Sequence, residues 1–122
     1  MRKILIVDDE KDIRDALSKK IGRSGYIALS AGSGKEALDI CKAEIPDLIL
    51  LDIVMPDMSG YDFAKTLKED KETQDIPLIF QTGQDFDPQA IQQHIQEIGA
   101  FDYIMKPYTA EELLAEIKKV IG

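Results

Sequence analysis

The sequence holds a single cysteine, so the chain can form no internal disulfide and no multi-cysteine metal site. Cys41 follows Leu38 by three residues on a helical spacing and reads as a small core side chain, not a reactive thiol. Long apolar runs are missing too. The first one, Ile4 to Val7, follows Met1-Arg2-Lys3 directly and is far short of a signal-peptide core or of the ~20 residues a membrane span needs. The expected location is therefore cytoplasmic. Positive charge is scarce: 15 Lys and Arg face 23 Asp and Glu, a formal charge of -8. Such a surface repels phosphate backbones and anionic lipid, which argues against nucleic acid or membrane as direct partners. An acidic cluster in such a chain can instead attract a divalent cation. No linker, repeat or low-complexity stretch interrupts the 122 residues, of which 44% are hydrophobic. The expectation is one domain over residues 1–122, with a sizeable core and no output domain in this chain.

Apolar runs and amphipathic stretches alternate along the chain. Ile4-Leu5-Ile6-Val7 is a continuous β-rich run, as expected of a central strand covered on both faces. From Asp12 the period changes: Ile13, Leu17 and Ile21, with Ala16 beside them, share a helical face that Gly22 and Gly25 end. Tyr26 to Ser30 reads as a second strand. Ser33 and Glu36 have capping-box spacing at the start of a helix that Pro46 closes. Leu48 to Leu51 is a third strand ending at Asp52. A turn of Pro56, Asp57, Ser59 and Gly60 leads into a helix carrying Phe63, Ala64 and Leu67. Leu78 to Gln81 is a fourth strand, ending at Thr82. Asp87-Pro88 suits an N-cap with proline in the first turn of the helix that Ile91, Ile95 and Ile98 line. Phe101 to Met105 is the fifth strand, and Thr109 with Glu112 repeats the capping-box spacing before Leu113, Leu114, Ile117 and Ile121. This alternation predicts a three-layer α/β fold, a parallel sheet with helices on both faces.

In open parallel sheets, ligands bind beyond the carboxyl ends of the strands. Those ends carry Asp8-Asp9-Glu10, Asp52, Thr82 and Lys106-Pro107. Clustered carboxylates repel one another, and a hard cation held through oxygen relieves the repulsion. Mg²⁺ suits the set, because it accepts one or two carboxylates and phosphate oxygens while keeping several waters. A carboxylate such as Asp52 can then act as a nucleophile toward phosphorus. Lys106 would stabilise the oxygens of the transferring group, and the Thr82 hydroxyl could donate to one of them.

Val7-Asp8-Asp9-Glu10, Leu51-Asp52-Ile53-Val54-Met55-Pro56 through Gly60, Thr82-Gly83, and Gly99 through Pro107 resemble, in order and spacing, the successive signatures of two-component receiver domains. The resemblance runs from Lys3 to the final helix. It implies a flavodoxin-like (βα)5 fold of strand order 2-1-3-4-5, and a signalling switch rather than a turnover enzyme. Asp52 would accept a phosphoryl group from the phosphohistidine of a sensor histidine kinase or phosphotransfer protein. Asp9, Asp52 and the Val54 backbone carbonyl would bind Mg²⁺, for which Mn²⁺ can substitute, with Asp8 acting mainly through water. Thr82 and Lys106 would contact the phosphoryl group, Tyr103 would be the aromatic switch residue, and Lys106-Pro107 would be cis. The readout surface would be the fourth helix, fifth strand and fifth helix, roughly Ile91 to Ile121. It would control an effector protein or output domain, or form a homodimer. In this family the side chains two positions past the acceptor and two past the threonine influence access of the hydrolytic water. Here they are Val54 and Gln84, and apolar Val54 points to slow self-dephosphorylation.

Rival readings fit less well. Gly32-Ser33-Gly34-Lys35 hints at a phosphate loop, but Leu29 and Glu36 stand where that motif needs glycine and a hydroxyl. An Asp-nucleophile phosphatase of the haloacid-dehalogenase type needs a second acid where Val54 stands. A degenerate receiver used only for docking need not keep Asp8, Asp9, Asp52, Thr82 and Lys106. His94, at the border of an apolar helix face, reads as a packing or partner-surface residue.

Overall fold

The computed structural model describes residues 1–83, 87–100 and 102–121. The strands are β1 (Lys3–Val7), β2 (Ile27–Ala31), β3 (Leu48–Asp52), β4 (Leu78–Thr82) and β5 (Asp102–Met105). They alternate with α1 (Lys11–Arg23), α2 (Gly34–Glu44), α3 (Gly60–Glu69), α4 (Pro88–Ile98) and α5 (Ala110–Ile121). Every strand pair is parallel and the order is β2-β1-β3-β4-β5, the flavodoxin-like order.

Local chemistry sets the helix starts. The Ser33 and Ser59 hydroxyls accept the backbone N–H of Glu36 and Asp62, and Asp87 accepts that of Gln89 with Pro88 in the first turn. Thr109 and Glu112 form a full capping box: the Glu112 N–H donates to Thr109 Oγ1 at 3.1 Å and the Thr109 N–H to Glu112 Oε1 at 3.3 Å. The second strand starts one residue later than the sequence pattern suggests. The Tyr26 N–H turns back to the Ile21 carbonyl at the end of α1, and the ladder to β1 begins with the Ile27 N–H on the Arg2 carbonyl. In the fifth strand, Asp102 is the first described residue, and Phe101, with which the sequence reading began that strand, lies outside the described residues.

The pleat divides the core in two. Leu5, Val7, Ile49, Leu51, Leu78 and Phe80 face one side, where α2, α3 and α4 cover them with Cys41, Phe63, Leu67, Ile91, Ile95 and others. Ile4, Ile6, Leu48, Leu50, Ile79 and Ile104 face the other, covered by Ile21 of α1 and by Leu113 and Ile117 of α5. Both faces of β1, β3 and β4 are thus buried, which is why those strands read as unbroken apolar runs. At the carboxyl edge, α3 starts against the end of β3. A Cβ on Gly60 would lie 2.6 Å from the Asp52 carbonyl oxygen and 2.8 Å from Ile53 Cα, so only glycine fits that approach.

Candidate functional site

Strand register carries polar side chains to the rim of the α1/α5 face. Val7 pairs with Leu51, so Asp8 and Asp52 follow side by side, and Asp52 pairs with Gln81 of β4. Because side chains alternate, Asp8, Asp52 and Gln81 continue the row of Ile6, Leu50 and Ile79 beneath them. Lys106 comes two residues after Ile104, the partner of Gln81 on β5. Its backbone N–H donates to the Thr82 carbonyl at 2.7 Å, and the Lys106-Pro107 bond is cis.

Lys106 Nζ lies 2.9 Å from Asp52 Oδ2 and 3.2 Å from Asp8 Oδ2, so one ammonium bridges two buried carboxylates. Asp52 Oδ1 accepts the Val54 N–H at 3.1 Å. Asp8 is fully buried: its Oδ1 takes the Glu10 N–H at 2.9 Å, and its Oδ2 is shared by Lys106 and Gln81 Nε2. Three of the roughly four lone-pair positions of that carboxylate are therefore filled. Carboxylate oxygens of Asp8, Asp9 and Glu10 lie within 4.8 Å of one another, and Asp9 and Glu10 are exposed. Acids gathered this closely, with free oxygens facing solvent, suit a hard divalent cation.

Burial pushes the Asp52 carboxyl above its usual range, and the nearby Asp8 charge adds to this, while Lys106 and the Val54 N–H pull the other way. Burial also works against the Lys106 ammonium, but Asp52 and Asp8 outweigh it and hold the amine above its ordinary value. The lysine faces two carboxylates at once, which favours its charged form. A cation beside Asp52 favours its ionised form.

Thr82 and Tyr103 sit elsewhere. Thr82 is buried, and its hydroxyl donates to the Gly83 carbonyl at 3.2 Å. It continues the row of Phe80, whose register partner is Tyr103, so both lie on the α2/α3/α4 side, where Tyr103 packs half-buried against the core. Val54 is 58% exposed, and Gln84 lies outside the described residues.

A family model for the response regulator receiver domain matches residues 4–118. The chain belongs to the response regulator receiver family. It is 42% identical over 118 residues to the phosphate regulon transcriptional regulatory protein PhoB of Pseudomonas aeruginosa, covering 97% of this chain and 51% of that protein. It is 36% identical over 120 residues to the alkaline phosphatase synthesis transcriptional regulatory protein PhoP of Bacillus subtilis, covering 98% and 48%. The chain thus spans about half the length of these curated relatives. Among solved structures, the chemotaxis response regulator CheY4 of Vibrio cholerae superposes with a TM-score of 0.90 at 30% identity, covering 98% of both chains. As a receiver domain the chain is a module of two-component signalling rather than a conventional enzyme. Among the described residues, no helix is long and apolar enough to cross a membrane.

Several participants escaped the sequence reading. Gln81 is fully buried, donating from Nε2 to Asp8 Oδ2 at 3.1 Å and to the Val7 carbonyl at 3.4 Å, and it accepts the Tyr108 hydroxyl at 2.6 Å. A lone amide after Leu78-Ile79-Phe80 was the available signal. Arg14 of α1 donates to the Asp8 carbonyl at 2.7 Å and props the loop that carries the acids. Asp57 receives the N–H groups of Gly34 and Lys35, so the amides that hinted at a phosphate loop already have an anion. His94 stacks on Tyr61 with ring centroids 3.8 Å apart, in keeping with a packing role.

Proposed function

We propose that this chain is a phosphorylation switch in which Asp52 accepts a phosphoryl group from the phosphohistidine of a sensor histidine kinase or phosphotransfer protein. The observation that carries the reading is the Asp52 carboxylate at the end of β3, bridged to Asp8 by Lys106 beside further acids. Asp52 supplies the electron pair for a new O–P bond while the P–N bond breaks and the imidazole leaves. Lys106 is placed to shift from the carboxylates to the phosphoryl oxygens, and the Thr82 hydroxyl to turn toward one of them. Asp9, Asp52 and the Val54 carbonyl would hold Mg²⁺ or Mn²⁺, with Asp8 reaching it through water because its lone pairs are largely committed. When bound, the cation supplies positive charge that keeps Asp52 ionised and offsets charge on the phosphoryl group.

Modification adds about two negative charges to this rim. Thr82, drawn toward them, would leave space on the α2/α3/α4 side for Tyr103 to enter. The surface of α4, β5 and α5 would then differ between the two states, toward an effector protein, an output domain or a second copy of the chain. The location consistent with such partners is the cytoplasm.

Labelling with acetyl phosphate tests the reading. Wild type should incorporate phosphate only with Mg²⁺ or Mn²⁺, and Asp52→Asn should incorporate none. Label retained in the variant moves the acceptor elsewhere, and a folded wild type that takes no label is a docking module instead. The exposed apolar side chain of Val54 offers hydrolytic water no polar group. The phosphorylated form should therefore persist for minutes or longer, and decay within seconds at neutral pH would contradict this.

A further inference from the structure

The amide of Gln81 has no freedom of orientation. Its neighbours on one side are two acceptors, the Val7 carbonyl and the Asp8 carboxylate, and on the other a phenol that donates at 2.6 Å. Turning the amide over would set Oε1 against two oxygens that can only accept, leaving both without a donor. The residue is fully buried, so no water can take over a broken bond. The two acceptors therefore fix which end of Gln81 faces Asp8, and Tyr108, packed against the α1/α5 core, tethers the other end.

Lys106 is a divided partner for Asp8. Its ammonium also serves Asp52, and in the mechanism proposed above it moves to the phosphoryl group. Asp8 then keeps two neutral donors, the Glu10 N–H on Oδ1 and the Gln81 amide on Oδ2. We propose that Gln81, tethered by the Tyr108 hydroxyl, is a positioning residue that holds the Asp8 carboxylate in place for divalent-cation binding whether or not Lys106 remains on it. The inference rests on the cation-dependent reading of the site.

Free Mn²⁺, followed by its electron paramagnetic resonance signal, measures cation affinity without any phosphotransfer. Gln81→Leu should weaken Mn²⁺ binding about tenfold, the lower end of what loss of an outer-shell hydrogen bond does, since Asp8 reaches the cation through water. Tyr108→Phe should weaken it about threefold, since the amide keeps both donor bonds and loses only its tether. In the double variant Tyr108→Phe should add nothing to Gln81→Leu, because the phenol acts only through the amide. A merely structural pair would lower the melting temperature of each single variant yet leave Mn²⁺ affinity within about twofold, and that result overturns the inference. So does a further loss of affinity in the double variant. Should Gln81→Leu fail to fold, wild-type affinity in Tyr108→Phe is decisive against it. Asp9→Asn separates the two levels: if it weakens Mn²⁺ binding while Gln81→Leu does not, only the inference falls. A wild type that binds no Mn²⁺ removes the underlying reading as well.

Discussion

The strands end differently on the two faces of the sheet. On the α2/α3/α4 side the apolar rows of β4 and β5 finish in Thr82 and Tyr103, a hydroxyl and a ring. On the α1/α5 side the rows of β1, β3 and β4 finish in Asp8, Asp52 and Gln81, with Lys106 over them. Gln81 and Thr82 are consecutive, so β4 alone sends one polar side chain to the charged layer and the next to the hydroxyl layer. The pleat thereby puts the charged groups on one face of the sheet and the hydroxyl and the ring on the other. Within the α1/α5 face, position along the strand separates the apolar packing from the charge. The rows below are apolar and fully buried, whereas the rim keeps two carboxylates close together with one ammonium between them.

The largest effect should come from breaking the apolar layer. Phe63 of α3 is fully buried among the residues beneath α2, α3 and α4. Phe63→Ala should cost about 3–5 kcal/mol of unfolding free energy in urea titration, through lost transfer energy and the cavity left behind. A loss near 1 kcal/mol would mean that this face is loosely packed. The charged layer should answer less strongly and in a cation-dependent way. Lys106→Met keeps the aliphatic stem but leaves Asp8 and Asp52 facing each other without a counter-charge. Because the lysine side chain is 26% exposed, the expected loss is about 1–3 kcal/mol rather than that of a fully buried pair. Millimolar Mg²⁺ should restore part of it, and a loss indifferent to Mg²⁺ would place the two acids apart from any cation site.

Asp52→Asn reverses the sign. Burial and the Asp8 charge both disfavour the ionised carboxyl, so a neutral amide of the same shape should stabilise the cation-free protein by about 1 kcal/mol. Melting in chelator checks this, and a destabilised variant would show that the Lys106 bond outweighs the repulsion. A gain in stability together with loss of labelling would identify Asp52 as a group kept for chemistry at the expense of the fold.

How much of this was legible depended on the range of the interaction. Asp52 and Thr82 were readable because each abruptly ends an apolar run, and strand order then brings those ends together. The caps at Ser33, Asp87 and Thr109 were readable because a cap's donor lies two or three residues away. Gln81 was passed over since a single amide at a strand end looks like ordinary edge polarity. Its meaning depends on Asp8, 73 residues away, and on Tyr108, 27 away. The ligand set implied by family likeness also left out Glu10, which lies with Asp8 and Asp9 in space as it does in the chain. The start of β2 was misjudged because the Tyr26 N–H is claimed by α1, a choice made by the turn at Gly25, where φ is +96°.

The smallest effect concerns an acid outside the charged rim. Asp57 accepts the N–H groups of both Gly34 and Lys35, closing the start of α2 from 23 and 22 residues away. Those two bonds hold its carboxyl below the usual range. Depression of a carboxyl by folding means that the ionised form is the one the native state favours. The stabilisation is thus complete above the unfolded value of about 3.9 and fades as pH falls through the lower native value. Asp57→Asn should lower the melting temperature by a few degrees at neutral pH, since an amide offers one acceptor oxygen where the carboxylate offers two. The gap should narrow as the acid limb is entered, because protonated Asp57 is no better an acceptor than asparagine. Melts of both proteins from neutral pH downward decide the matter. A constant gap would assign the loss to shape at the turn instead of charge, and would make this contact unlike the pair that Lys106 forms across the site.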